Sequence, residues 1–235
     1  MSEAVLARED ERLPDREAAL ARFAVALTER PWSLSAEIGA DLTAQGLDAA
    51  AVQAATGTVA MFNYFTRVAD ASGIEFDYRS PLPRFQPDRD RDAAPRPARE
   101  AWPVAEHRTL SSFPTMVEPW RDWHDYLFDA DEPLTRRERR VLAAAAAQEC
   151  TDRWRADELA GELGDPTPAD DRERLLDAFA RKLSLTPWRM SEADLDGLRD
   201  AGFAEKALLH AISLTALQNA ESRLALGRRL ADTLT

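Results

Sequence analysis

Apolar positions recur along most of this chain at steps of three and four, the spacing of one helical face, and alternation at every second residue is rare. Leu20, Phe23, Ala24 and Leu27 form one such face, and Leu176, Phe179, Ala180 and Leu183 form another. Ala, Leu, Arg and Glu dominate the same windows, so intrinsic propensity agrees with the pattern. The expected fold class is all-α. The helix ends are also visible. Pro31 and Pro187 cannot donate within a helix, and Ser35 and Ser191 are suited to cap first-turn amides, with Asp194 at a box-like spacing from Ser191. Gly46 and Gly202 suit the left-handed residue that ends a helix.

The two faces belong to a longer repeat. A shift of 156 residues carries Asp15-Arg16-Glu17 onto Asp171-Arg172-Glu173, Phe23-Ala24 onto Phe179-Ala180 and Pro31-Trp32 onto Pro187-Trp188. The register continues without a gap through Ser35 and Ser191, Leu42 and Leu198, Gly46 and Gly202, Asn63 and Asn219, and Arg67 and Arg223. Roughly a third of the aligned positions agree, as an internal duplication requires. Each copy reads as helix, Pro-Trp turn, short helix, glycine stop and long helix. The expected organisation is an N-terminal half-repeat over 1–78, a proline-rich connection over 79–103 and a helical core with the second half-repeat over 104–235. The connection holds six prolines and many charges, and is expected to be extended and solvated. Val104 to Phe128 resumes helical spacing ahead of a long helix that begins near Thr135.

With 235 residues, 45% of them hydrophobic, the chain can bury a substantial core. No apolar run approaches the roughly 20 residues that cross a bilayer, and the first residues carry no basic flank leading into an apolar stretch, so a cytoplasmic location without a membrane span is expected. The net charge of -12 repels phosphate backbones and anionic lipids, which argues against nucleic-acid or membrane binding. A single cysteine, Cys150, excludes an internal disulfide, a Cys-rich zinc site and an intramolecular dithiol cycle. His107, His124 and His210 have no metal-ligand spacing, so neither a metal nor another cofactor is expected.

One stretch resembles a known family. Leu134-Thr135-Arg136-Arg137-Glu138-Arg139 leads through an alanine run to Gln148-Glu149-Cys150, followed by Ala178-Phe179-Ala180-Arg181-Lys182-Leu183, Met190-Ser191-Glu192-Ala193-Asp194-Leu195 and Leu198-Arg199-Asp200-Ala201-Gly202-Phe203. With the closing helix that carries Asn219 and Arg223, these motifs resemble the alkylhydroperoxidase D/carboxymuconolactone decarboxylase family, particularly its peroxidase-related, antioxidant branch. Phe62 to Asp70 followed by Gly73 resembles the family's last helix again. The resemblance implies a helical fold, assembly into homo-oligomers, and a catalytic centre of Cys-x-x-Cys with a His four residues after the second Cys and a Glu twelve residues before the first. Here Cys150 and Glu138 occupy two of those positions, while Arg153 stands at the second Cys and Asp157 at the His. In the family the second thiol attacks peroxide and the first resolves the sulfenic acid, so the two-Cys cycle has lost its attacking sulfur.

Each of these residues also has a plain structural reading. Thr135 to Glu138 has the spacing of a capping box. Cys150 can be a small buried hydrophobe, its acidic neighbours Glu149 and Asp152 opposing a thiolate that Arg153 favours. Arg153 and Asp157 can be an exposed ion pair, or Arg153 can turn inward against Glu138. The Asn63/Arg67 and Asn219/Arg223 pairs are expected to tie the long helices to neighbouring backbone or acidic groups, and Trp120 and Trp123 to serve a core or a subunit contact. Two classes of function follow. One is a non-redox family member, an oligomer that binds a small molecule or acts as a structural partner. The other is an enzyme: a one-Cys peroxidase using Cys150 with an external thiol, or a lyase or isomerase with Glu138 as proton carrier.

Overall fold

The computed structural model describes residue 4 and residues 9–74, 93–106, 114–165 and 167–234. The described residues are helical and contain no strand, which makes the protein all-α. Three helices form the first unit: α1 (Asp15–Glu29), α2 (Ala36–Ala44) and α3 (Ala49–Ser72). Then come α4 (Pro114–Phe128), α5 (Arg136–Glu149) and α6 (Arg153–Leu163). The chain closes with α7 (Asp171–Leu185), α8 (Glu192–Asp200) and α9 (Glu205–Ala231).

Turn chemistry sets these boundaries. Pro31–Ser33 and Pro187–Arg189 each form one tight turn of 3-10 helix after α1 and α7. Gly46 (φ 70°) and Gly202 (φ 86°) take the left-handed conformation expected of them after α2 and α8. In each case an arginine from the preceding long element reaches the turn. Arg16 Nη1 donates to the Gln45 carbonyl at 3.0 Å and Arg172 Nη1 to the Ala201 carbonyl at 3.0 Å. Asp194 accepts from the Ser191 amide at 2.9 Å, completing the box ahead of α8, whereas Ser35 makes no side-chain cap at α2. The boundaries of α1, its Pro-Trp turn, α2 and the start of α3 recur 156 residues later in α7, the second Pro-Trp turn, α8 and α9.

Helices α3 and α9 share the most extensive contact in the molecule. They run antiparallel, since Thr56 near the start of α3 meets Gly227 near the end of α9. Two apolar cores lie along this pair. Phe23, Leu27, Leu42 and Val52 of the first unit pack with Ala225, Leu226 and Leu230 from the end of α9. The larger core gathers Leu142, Leu159, Leu176, Phe179, Leu198 and Leu208 with Leu214, Leu217 and Ala71. Each long helix thus begins in one core and ends in the other.

In the described part of the proline-rich connection, residues 93–103, every residue is exposed or half-buried. Arg96 within it reaches Glu149 at 2.5 Å and the Gln148 carbonyl at 3.3 Å, and Ala105, just beyond it, is buried in the smaller core. The rest of the connection, and His107, lie outside the described residues.

The α3/α9 crossing gives a stability prediction. A Cβ on Gly227 would sit 2.4 Å from Thr56 Cγ2 and 2.6 Å from its Oγ1, closer than real atoms approach. Gly227→Ala should therefore lower unfolding stability by about 1–3 kcal/mol in denaturant titration, the usual cost of overpacking. Thr56→Ala in the same chain should recover part of the loss, because it removes both crowding atoms; an unchanged midpoint in Gly227→Ala would contradict the crossing.

Candidate functional site

Between the two apolar cores lies a polar layer built from side chains that recur at the same 156-residue offset. Asn63 on α3 donates through Nδ2 to Thr28 Oγ1 at 3.0 Å and to the Val59 carbonyl at 2.9 Å. Asn219 on α9 donates in the same way to Ser184 Oγ at 2.7 Å and to the Thr215 carbonyl at 2.9 Å. Both amide orientations leave the oxygen facing the arginine one turn on. Arg67 Nη1 donates to Asn63 Oδ1 at 2.7 Å, and Arg223 Nη1 to Asn219 Oδ1 at 3.0 Å.

The remaining arginine bonds cross between the units. Arg67 Nη2 donates to the Ser184 carbonyl of α7 at 3.0 Å, and Arg223 Nη2 to the Thr28 carbonyl of α1 at 2.7 Å. Each arginine thus leaves the long helix of one unit and holds the first helix of the other. Both are 3% exposed, and neither forms an ion pair with a carboxylate among the described residues. The Nε–H of each is buried without a hydrogen-bond partner. Burial and then the nearby charge of Arg223 push the Arg67 pKa down to about 9, so the arginine remains charged at neutral pH but at a cost.

Cys150 belongs to this layer. It caps the C-terminus of α5 and is 2% exposed. Its thiol donates to Asn219 Oδ1 at 3.2 Å, and the sulfur accepts from Arg223 Nη1 at 3.2 Å. Burial raises the thiol pKa, and the opposing pull of Arg223 and Arg67 is smaller. Of the two readings of Arg153, the exposed pair with Asp157 is the one formed. Thr151 has φ 56° and turns the chain sharply, and Asp152 then caps α6 by accepting from the Arg155 amide at 3.2 Å. Arg153 consequently starts a new helix rather than continuing that of Cys150. It lies 3.8 Å from Asp157 in an exposed pair, and Asp157 also pairs with Arg99 at 2.5 Å. The inward contact between Arg153 and Glu138 is not formed.

Glu138 sits at the opposite end of α5. It completes the capping box with Thr135, whose amide donates to Oε2 at 2.8 Å, while Oε1 accepts from Arg172 Nε at 3.1 Å. Twelve residues of helix at a rise of about 1.5 Å each place it roughly 18 Å along the axis from Cys150. Glu138 and Cys150 are therefore not brought together within one chain. His210 lies in a separate cluster. Its Nδ1 accepts from Arg139 Nη1 at 3.1 Å, since an arginine only donates, which leaves Nε2 as the N–H facing Tyr126 Oη at 3.2 Å. Burial and then Arg139 depress its pKa, so the ring is neutral. No group of His, Cys, Asp and Glu that could hold a metal occurs among the described residues. No described helix is long and apolar enough to cross a membrane.

The feature that sequence reasoning missed is a cavity of about 350 Å³ over the arginine layer. Arg67 and Arg223 line it together with Trp32, Trp188, Phe62 and Leu185. The Pro-Trp pairs thus have a second role beyond ending helices: both tryptophans face one shared space. Their matched positions in the repeat, alongside the matched arginines, were the available signal.

No family model matches the chain, and no curated protein matches it in sequence.

Proposed function

We propose that this protein is an alkylhydroperoxidase D-like helical protein that has left two-cysteine redox chemistry and binds a small molecule between its two units. The family reading rests on the residue motifs around Cys150 and in the two long helices. The common offset of the helix boundaries supports descent of the two units from one duplicated unit. The binding reading is carried by one observation: two buried guanidinium groups with unpartnered Nε–H line a cavity walled by tryptophans. A cavity of about 350 Å³ lies within the size range of small-molecule sites, about 300–1,000 Å³.

The enzyme alternatives have less to stand on. A one-Cys peroxidase needs an accessible thiolate, whereas Cys150 is buried, engaged as a neutral thiol and raised in pKa. A lyase with Glu138 as proton carrier would have to break the cap and the Arg172 pair that occupy both carboxylate oxygens.

Assembly into a homo-oligomer is part of the same proposal. Phe62, Phe65, Trp123, Tyr126 and Leu209 are exposed, and Trp123 Nε1 donates to Tyr64 Oη at 3.1 Å so that α3 and α4 present aromatic rings on a common surface. Exposed aromatics of this kind suit a subunit contact. Sedimentation should give a mass above that of one chain at micromolar concentration; a monomer would contradict the assembly.

The redox side of the proposal is tested by hydroperoxide reduction with a lipoyl or dithiol reductant. Turnover should fall at least about 100-fold below that of Cys-x-x-Cys relatives, because loss of a nucleophile is not offset by the remaining groups. A thiol reagent at pH 8 should label native Cys150 at least about 10-fold more slowly than the unfolded chain. Family-like turnover, or rapid labelling of the native protein, would overturn the reading.

A further inference from the structure

The two guanidinium groups pose a charge problem that the protein alone leaves unsolved. Arg67 and Arg223 are both buried, and the dominant effect of each charge on the other is repulsion, since Arg223 lowers the pKa of Arg67 more than any neighbouring group raises it. Their hydrogen bonds go to neutral acceptors: Asn63, Asn219, Cys150 and the carbonyls of Ser184 and Thr28. The lining also carries three carboxylates, Glu29, Asp70 and Glu149, and none of them forms an ion pair with either arginine. Glu149 is engaged by Arg96 at 2.5 Å and Arg181 at 2.6 Å. Asp70, exposed and three residues beyond Arg67, acts on that arginine less strongly than Arg223 does.

The donors left over have a recognisable geometry. A guanidinium carries five N–H groups, and the edge formed by Nε and Nη2 can grip a carboxylate through two parallel bonds. In both arginines Nε is unpartnered and Nη2, with two hydrogens, makes one bond. Beside these donors and the polar side chains of the lining, Trp32, Trp188, Phe62 and Leu185 supply apolar walls. A small inorganic ion would satisfy the arginines but leave those apolar walls facing water.

We propose that the cavity is a binding site for a small organic carboxylate, its oxyanion held by Arg67 and Arg223 and its apolar body packed against Trp32 and Trp188. This rests on the small-molecule reading above and adds the chemical class of the ligand. The reciprocal bonds give binding a structural consequence: an anion on the two arginines is held by α3 and α9 at once, and through Thr28 and Ser184 by α1 and α7.

Calorimetric titration of the full-length protein at pH 7 in low-chloride buffer tests this, with benzoate, inorganic phosphate and benzylamine as probes. Benzoate should bind saturably at one site per chain, phosphate at least 10-fold more weakly, and benzylamine not at all. Arg223→Met should weaken benzoate at least 10-fold. Because that change touches the buried layer, Thr66→Trp provides a second variant: Thr66 lines the cavity from an exposed position on α3, so the larger ring should block binding without moving the unfolding midpoint. Absence of saturable benzoate binding, benzoate affinity unchanged in both variants, phosphate binding as tight as benzoate, or preference for benzylamine would each overturn the assignment. The redox reading fails separately: rapid Cys150 labelling or peroxide turnover would sink it while leaving this titration unaffected.

Discussion

The structure turns on two arginines buried at the crossing of its two longest helices. Transfer of a guanidinium out of water costs several kcal/mol even after relaxation, and hydrogen bonds to a charged group return about 1.5–3 kcal/mol each. The fold meets that cost with a layer of asparagine, hydroxyl and carbonyl acceptors arranged the same way on both sides. Because Arg67 bonds to α7 and Arg223 to α1, neither unit completes its own polar layer. The apolar cores share the dependence, since the end of α9 fills the core of the first unit. A layer that served stability alone would be better built from well-packed aliphatic side chains, which often equal or exceed buried charges in stability. Its retention, with two Nε–H donors buried and unpartnered beside a tryptophan-walled cavity, fits a layer kept for a ligand.

Cys150 takes its character from the same layer. Burial raises its pKa, and the two hydrogen bonds suit a neutral thiol, which can donate to Asn219 and accept from Arg223 at once. The left-handed turn at Thr151 then separates it from Arg153, which lies in an exposed pair with Asp157, itself also paired with Arg99. On the proposed family reading, the former redox position has become a support for Arg223. The cysteine would be kept for its hydrogen-bonding geometry.

Local signals in the sequence carried the fold a long way. The three- and four-residue spacing gave helices, Pro31 and Pro187 marked the tight turns, Gly46 and Gly202 marked the left-handed stops, and Thr135 with Glu138 formed the expected cap. The Asn/Arg pairs were legible as ties to neighbouring backbone, and they bond to the Thr28 and Ser184 carbonyls. What could not be read was that the ties cross between units. That fact depends on the antiparallel packing of α3 and α9, and no local pattern encodes which helix a buried side chain will meet. The cavity was hidden for the same reason, as its walls come from α1, α3, α7, α9 and both Pro-Trp turns. Cys150 and Arg153 looked like neighbours on one helix because Thr151 carries no turn signal; a β-branched residue is among the least expected at positive φ.

The central claim, two buried and charged guanidinium groups with open Nε–H donors awaiting an anion, is tested most directly by proton–nitrogen correlation spectra of the arginine Nε–H groups. Among the signals protected from exchange with water at neutral pH, one should disappear in Arg67→Met and another in Arg223→Met. Both should move together and saturably as benzoate is added. Rapid exchange of both signals with water, or protected signals that benzoate leaves in place, would contradict the account.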